Sequence, residues 1–204
     1  MPDMERPRQS QTDVDRACDD GGVKRSTAIN RLREVAEELE RAKQWHDSSV
    51  VAGYVFGVML DDVGDVDRIQ IMLVVDEPAG DVPWMSQPAH LEALASLLRF
   101  DKLPMTWRWR PNAWPVWNHE ITRAVAFWSS TSGSDQGVVD ALATGHLELV
   151  QFVEPANADE LVAQLRTERD VARQHLAKAV AGFHEREWRG EHKGGGVYPA
   201  DHLW

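Results

Sequence analysis

The sequence predicts an α+β fold, a small mixed β-sheet flanked by helices with one long helix near the C-terminal end. Three observations carry this. Apolar residues recur at helical spacing from Ser26 to Trp45 and, over a longer run, from 157 to 188. Two runs rich in β-branched and aromatic residues, "SSVVAGYVF" and "VDRIQIMLVV", lie between them, joined by the turn-like "LDDVGD". The full order reads helix, strand, strand, helix, strand, strand, helix, long helix, the plan of a small mixed sheet.

Residues 1–22 are polar, acidic and closed by Gly21-Gly22, a composition too poor in apolar surface to offset its ordering entropy, so they read as a flexible tail. Ser26 or Thr27 is placed to cap the first helix, whose apolar positions are Ile29, Leu32, Val35, Ala36, Leu39 and Ala42. Two strands follow as a buried pair. Pro83 and Pro88 mark a loop, after which His90 to Phe100 carries Leu91, Leu94, Ala95, Leu97 and Leu98 on one helical face. In "PMTWRWRP", Met105, Trp107 and Trp109 alternate with Thr106, Arg108 and Arg110, as in a strand with two distinct faces. "TRAVAFW" is a further short strand, and "SSTSGSDQG" a loop whose Ser or Asp caps a helix at 138–143. The 157–188 helix carries Leu161, Val162, Leu165, Val171, Leu176, Val180 and Phe183 as its apolar stripe. "HKGGGVYPADHLW" reads as loop, with Asp201 as the cap of a helix that stops at once. The domains are therefore a tail (1–22), an α/β core (23–156), and a C-terminal helix and loop packing on that core (157–204).

Composition excludes several functions. A chain of 204 residues with 43% hydrophobic content supports one good-sized core. Its 22 basic and 33 acidic residues give a net charge of −11, which repels phosphate backbones and disfavours broad nucleic-acid binding. The single cysteine, Cys18, permits no intramolecular disulfide and fits a reducing, cytoplasmic setting. The N-terminus has no apolar signal core, and no segment approaches the roughly 18 apolar residues of a membrane span. A soluble protein is expected.

The chemistry-bearing stretch is "FGVMLDDVGDVD". If Asp65 and Asp67 lie in a strand they project side by side, a geometry suited to holding Mg²⁺ beside nucleotide phosphates; a solvated strand entry is the plain alternative. A helix, a strand ending in Phe56-Gly57, a short connection and Asp65-Val66-Asp67 running into an apolar strand together resemble the core of the nucleotidyltransferase superfamily. That resemblance implies a sheet of nucleotidyltransferase-like type, Asp65 and Asp67 as catalytic metal ligands, Mg²⁺ as cofactor, and Gly57-Val58 at the nucleotide phosphate. The departures are specific. Val58 stands where the superfamily has a Ser, six residues separate Val58 from Asp65, and the later strand offers no central third carboxylate, leaving Asp76 and Glu120 as substitutes. A closer likeness is to an actinobacterial family of unknown function built around "FG…D-h-D-R-h-Q-h-x-L-V-V-D", "PVWNHxI" and a terminal "LW", which implies no activity.

Arg108 and Arg110, interleaved with Trp107, Trp109 and Trp114, form a phosphate-binding wall if they share a face with the Asp pair; otherwise the tryptophans fill the core and the arginines sit in water. His119 beside Glu120 is an accessory acid–base pair or a loop anchor. The long helix either covers the sheet or pairs with a protein partner or a second copy. Two functions follow. One is a nucleotidyltransferase-fold protein without catalysis that binds a partner or nucleotide. The other is an active Mg²⁺-dependent enzyme modifying a protein or RNA acceptor.

Overall fold

The β-branched run Val50–Phe56 forms the central strand of a five-stranded sheet in a computed structural model that describes residues 23–44, 48–61, 64–84, 91–100, 105–183 and 185–187. The elements are α1 (Arg25–Ala42), β1 (Val50–Phe56), α2 (Val58–Asp61), β2 (Ile69–Val75), α3 (Glu92–Leu97), β3 (Met105–Pro111), β4 (Ala124–Ser129), β5 (Gly133–Ser134), α4 (Gln136–Thr144), a 3-10 turn at Leu147–Leu149, and α5 (Ala158–Gly182). The sheet order is β3-β2-β1-β4-β5, with β2 and β3 parallel and the other neighbours antiparallel. A parallel pair needs a crossover, and the segment carrying α3 supplies it.

Both faces of the inner strands are covered, which explains why β2 reads IQIMLVV rather than alternating. On the first face Ile69, Ile71, Leu73 and Val75 join Val55, Val125 and Phe127 against α1, whose Ala28, Leu32 and Val35 are fully buried. Gly53 allows this close approach: a Cβ there would stand 2.9 Å from Cζ of Phe127. On the second face Phe56, Met72, Val74 and Ala124 lie beneath Val116 and Ile121 of the loop after β3, with Tyr54 and Trp84 partly buried beside them. The sheet has two margins. One is β5, two residues long, and the other is β3, where Arg108 donates Nη1 to the Trp107 carbonyl at 3.1 Å.

Several expectations hold and others are corrected. α4 is capped by Asp135, which accepts from the Val138 amide at 3.0 Å, and ends on Gly145 at φ 77°. Trp109 is buried and Trp107 stacks on Phe100. Neither Ser26 nor Thr27 caps α1, because the helix begins one turn position earlier, at Arg25 after Lys24. α3 is shorter than its apolar pattern, and α2 and β5 are too short to leave a periodic signal. α5 starts at an Asn157 cap reinforced by Glu160, whose carboxylate takes the Ala156 amide at 2.7 Å, but ends at Gly182 rather than 188. Its stripe is not one face: Val162 and Val180 are exposed. The expected tail at 1–22, the GGG loop and the Asp201 cap lie outside the described residues.

Candidate functional site

Asp65 and Asp67 do not project from a strand. Val66 forms an isolated antiparallel bridge with Val23, with N–H···O distances of 2.7 and 2.9 Å, and β2 begins only at Ile69. The bridge draws the segment back to the head of α1, where Asp65 Oδ1 accepts the Arg25 backbone N–H at 3.2 Å. The helix has no cap from Lys24, so this distant carboxylate satisfies an orphan amide and places negative charge at the positive end of the helix. Asp67 is exposed.

The Gly57-Val58 turn is filled from within. Gly57 has φ 67°, and the Val58 amide donates to Gln70 Oε1 at 3.3 Å. A Cβ on Gly57 would fall 2.0 Å from that oxygen. The carboxamide therefore holds the amide that the resemblance gives to a phosphate. The carbonyl end of the four-residue α2 is covered by Arg123, which donates to the Leu60 carbonyl and the Asp61 carboxylate, both at 2.8 Å.

Arg108 and Arg110 share the second sheet face, in register with Met72 and Val74. Arg110 lies five residues along the strand from the start of the pairing at Ile69↔Met105, roughly 16 Å away. It is 1% exposed, so neither the phosphate wall nor the solvated arginine describes it. Its Nη1 and Nη2 grip the Glu168 carboxylate at 3.2 and 2.5 Å, Nη2 also donates to the Trp117 carbonyl at 3.1 Å, and Nε donates to the Pro115 carbonyl. Trp84 and Trp114 rings lie 5.9 and 5.5 Å from the guanidinium carbon. Gln164 donates to Glu168 Oε1 at 3.0 Å. This buried cluster ties α5 to the sheet. Beside it lies an open cleft of ≈ 340 Å³ bounded by Pro115, Trp117 and the first turns of α5.

Of the accessory residues, His119 meets the Trp84 ring edge-on at 5.5 Å, and Glu120 stands 3.9 Å from Arg108. Asp76 is exposed past the end of β2, with its amide bonded to the Ser49 carbonyl at 2.8 Å. Among the described residues no group of three or more His, Cys, Asp or Glu side chains is arranged to hold a metal ion. Asp65 and Asp67 are both exposed, and one oxygen of Asp65 is engaged by the Arg25 amide at the head of α1. Among the described residues no helix is long and apolar enough to cross a membrane.

Sequence reasoning missed Gln70, Glu168 and two buried arginines. Arg25 donates Nε to the Leu142 carbonyl at 2.8 Å and Nη2 to the Met59 carbonyl at 3.2 Å. Arg31 caps the end of α3 through the Leu98 and Arg99 carbonyls. Their positions were the available signal: Arg25 stands three and four residues before Ala28 and Ile29, and Arg31 three after Ala28 and four before Val35, on the edges of the buried face.

Fold and site together define a mixed α+β domain whose second sheet face is closed by its own tryptophan-rich loop and anchored to its long helix. The chain belongs to a family described as a domain of unknown function (DUF7711), which matches residues 23–204. No curated protein and no solved structure matches it.

Proposed function

We propose that this domain is a non-catalytic binding module of nucleotidyltransferase-like layout, which holds a protein partner and turns over no nucleotide. The observation that carries this reading is the engagement of Asp65 with the Arg25 amide. The carboxylate that the resemblance makes a metal ligand has a structural duty instead. Gln70 in the Gly57 turn and Glu168 on Arg110 point the same way, since the groups that would meet phosphate are held by the chain's own side chains.

A second reading, Mg²⁺-dependent transfer of a nucleotide to a protein or RNA acceptor, draws on the order α1, β1, Gly57, α2, Asp65-Val66-Asp67, β2, which keeps the layout of the resemblance. Incubation with Mg²⁺ or Mn²⁺ and each of the common α-labelled nucleoside triphosphates separates the two. The binding-module reading expects no label transfer and no nucleotide-dependent thermal shift. Metal-dependent labelling that disappears in the Asp65→Asn, Asp67→Asn double variant would establish the enzyme.

A further inference from the structure

One stripe along the outward face of α5 carries charge opposite in sign to that of the whole chain, with the exposed Asp159 and Asp170 on its flank. Its buried positions, Glu168, Ala179 and Gly182, fall on the side turned toward the protein. At about 3.6 residues per turn, Val162 and Val180 stand one above the other on the opposite side, roughly 27 Å apart, and Arg166, Arg169 and Arg173 fall within about 40° of the line between them. All three arginines are exposed, and the valines are 43% and 51% exposed. Among the described residues only Arg169 of the three has a carboxylate against it, that of Asp170 at 2.8 Å. A chain of net charge −11 thus presents a straight basic stripe bracketed by two apolar contacts.

We propose that this stripe docks an acidic helical segment of another protein, with carboxylates at three- and four-residue spacing opposite the arginines and an apolar side chain on each valine. The proposal rests on the reading of the domain as a binding module and names the class of its partner. Charge decides among occupants. Antiparallel pairing of two copies about Val171 would match Val162 with Val180, but the same symmetry sets Arg169 against Arg173, a like-charge contact. A nucleic acid would meet the arginines yet leave the valines without apolar partners, and its phosphates would be repelled by the acidic remainder of the chain. An acidic amphipathic helix satisfies both parts of the stripe. Exposed ion pairs contribute little each and are screened by salt, so the contact is weak and salt-dependent.

The test uses the full chain and a fluorescently labelled synthetic helix bearing Glu at that spacing with Leu at both ends, read by anisotropy. A scrambled peptide of equal composition, a single-stranded oligonucleotide and anionic lipid vesicles serve as competitors. The expected result is saturable binding of the patterned helix that falls about tenfold or more in an Arg166→Glu, Arg169→Glu, Arg173→Glu variant whose circular dichroism and melting temperature match the parent. The Val162→Ser, Val180→Ser variant should also weaken it, because the ends of the stripe carry apolar contact. Absence of binding, equal binding of the scrambled peptide, or preference for the oligonucleotide or vesicles overturns the proposal. A nucleotide-dependent thermal shift abolished by Asp65→Asn with Asp67→Asn would instead overturn the binding-module reading, and the peptide measurement does not depend on it.

Discussion

Asp65 and Arg25 stand 40 residues apart in sequence and 3.2 Å apart in the fold, carboxylate oxygen to backbone amide. The contact gives the two aspartates unequal roles that a metal clamp would not give them. Asp65→Ala should cost about 1 kcal/mol of stability, within the range of lost helix caps. Asp67→Ala should stay within about 0.5 kcal/mol, as for an exposed substitution. Asp65→Asn should cost less than Asp65→Ala, since its oxygen can still accept the amide and only the charge at the helix end is lost. Urea denaturation of the three variants checks this, and equal losses at both aspartates would contradict it.

Removing Glu168 leaves a buried guanidinium without its carboxylate. Glu168→Leu should therefore destabilise the protein by about 3–5 kcal/mol, and Arg110→Met by a similar amount. The double variant, which removes both charges, should cost less than either single change. Denaturation of the four-member cycle reads the coupling, and proteolysis within α5 should rise in the Glu168→Leu variant. Additive losses would show that the two side chains do not act as a pair.

Gly57→Ala meets two obstacles, the positive φ and the Gln70 oxygen. A loss of about 1–3 kcal/mol is expected. Pairing it with Gln70→Ala should restore the steric part and leave the backbone part. Thermal melts of both variants decide, and no recovery in the pair would place the whole cost in the backbone.

Among the described residues Tyr54 has its titration displaced upward by the fold, because burial disfavours its phenolate. The sign follows from linkage. Below the unfolded value, near 10, both states keep the proton and its contribution to stability is fully present; as pH rises beyond that value the unfolded chain ionises first, and the contribution is lost progressively up to the folded value. Tyr54→Phe should flatten the alkaline fall in stability above about pH 10. Denaturation curves across that range provide the check, and an unchanged slope would assign the fall to other groups.

Much of the fold was legible because burial imposes periodicity. The α1 face at Ile29, Leu32, Val35 and Leu39 and the apolar β2 run follow directly from where the core sits. Asp135 before Val138 announced one helix start through capping chemistry, while the start of α5 followed from its apolar pattern and the Asn157 cap emerged only in the fold. The site was less legible because its contacts join distant segments. Nothing local in "GDVD" shows that Val66 will pair with Val23, yet that bridge decides where Asp65 points. The burial of Arg110 likewise depends on a carboxylate 58 positions later, and alternation in "TWRWRP" reports only which face the arginine takes. Gln70 is a polar residue in an apolar strand, a visible anomaly whose meaning requires the neighbouring turn.

The two margins of the sheet also bear on how the protein behaves in a crowded solution. An open strand is a template on which a second chain can extend the ladder, the first step toward fibrils and amorphous aggregates. Here β5 is too short to serve, and β3 ends in Pro111, which has no N–H, with its Trp107 carbonyl already taken by a charged neighbour. Arg108→Val would free that carbonyl, remove the charge and raise the β-propensity of the strand in one step. Such a chain should cloud on heating at concentrations where the parent stays clear, the result expected if the guanidinium guards this margin against polymerisation; equal clarity of the two would contradict it.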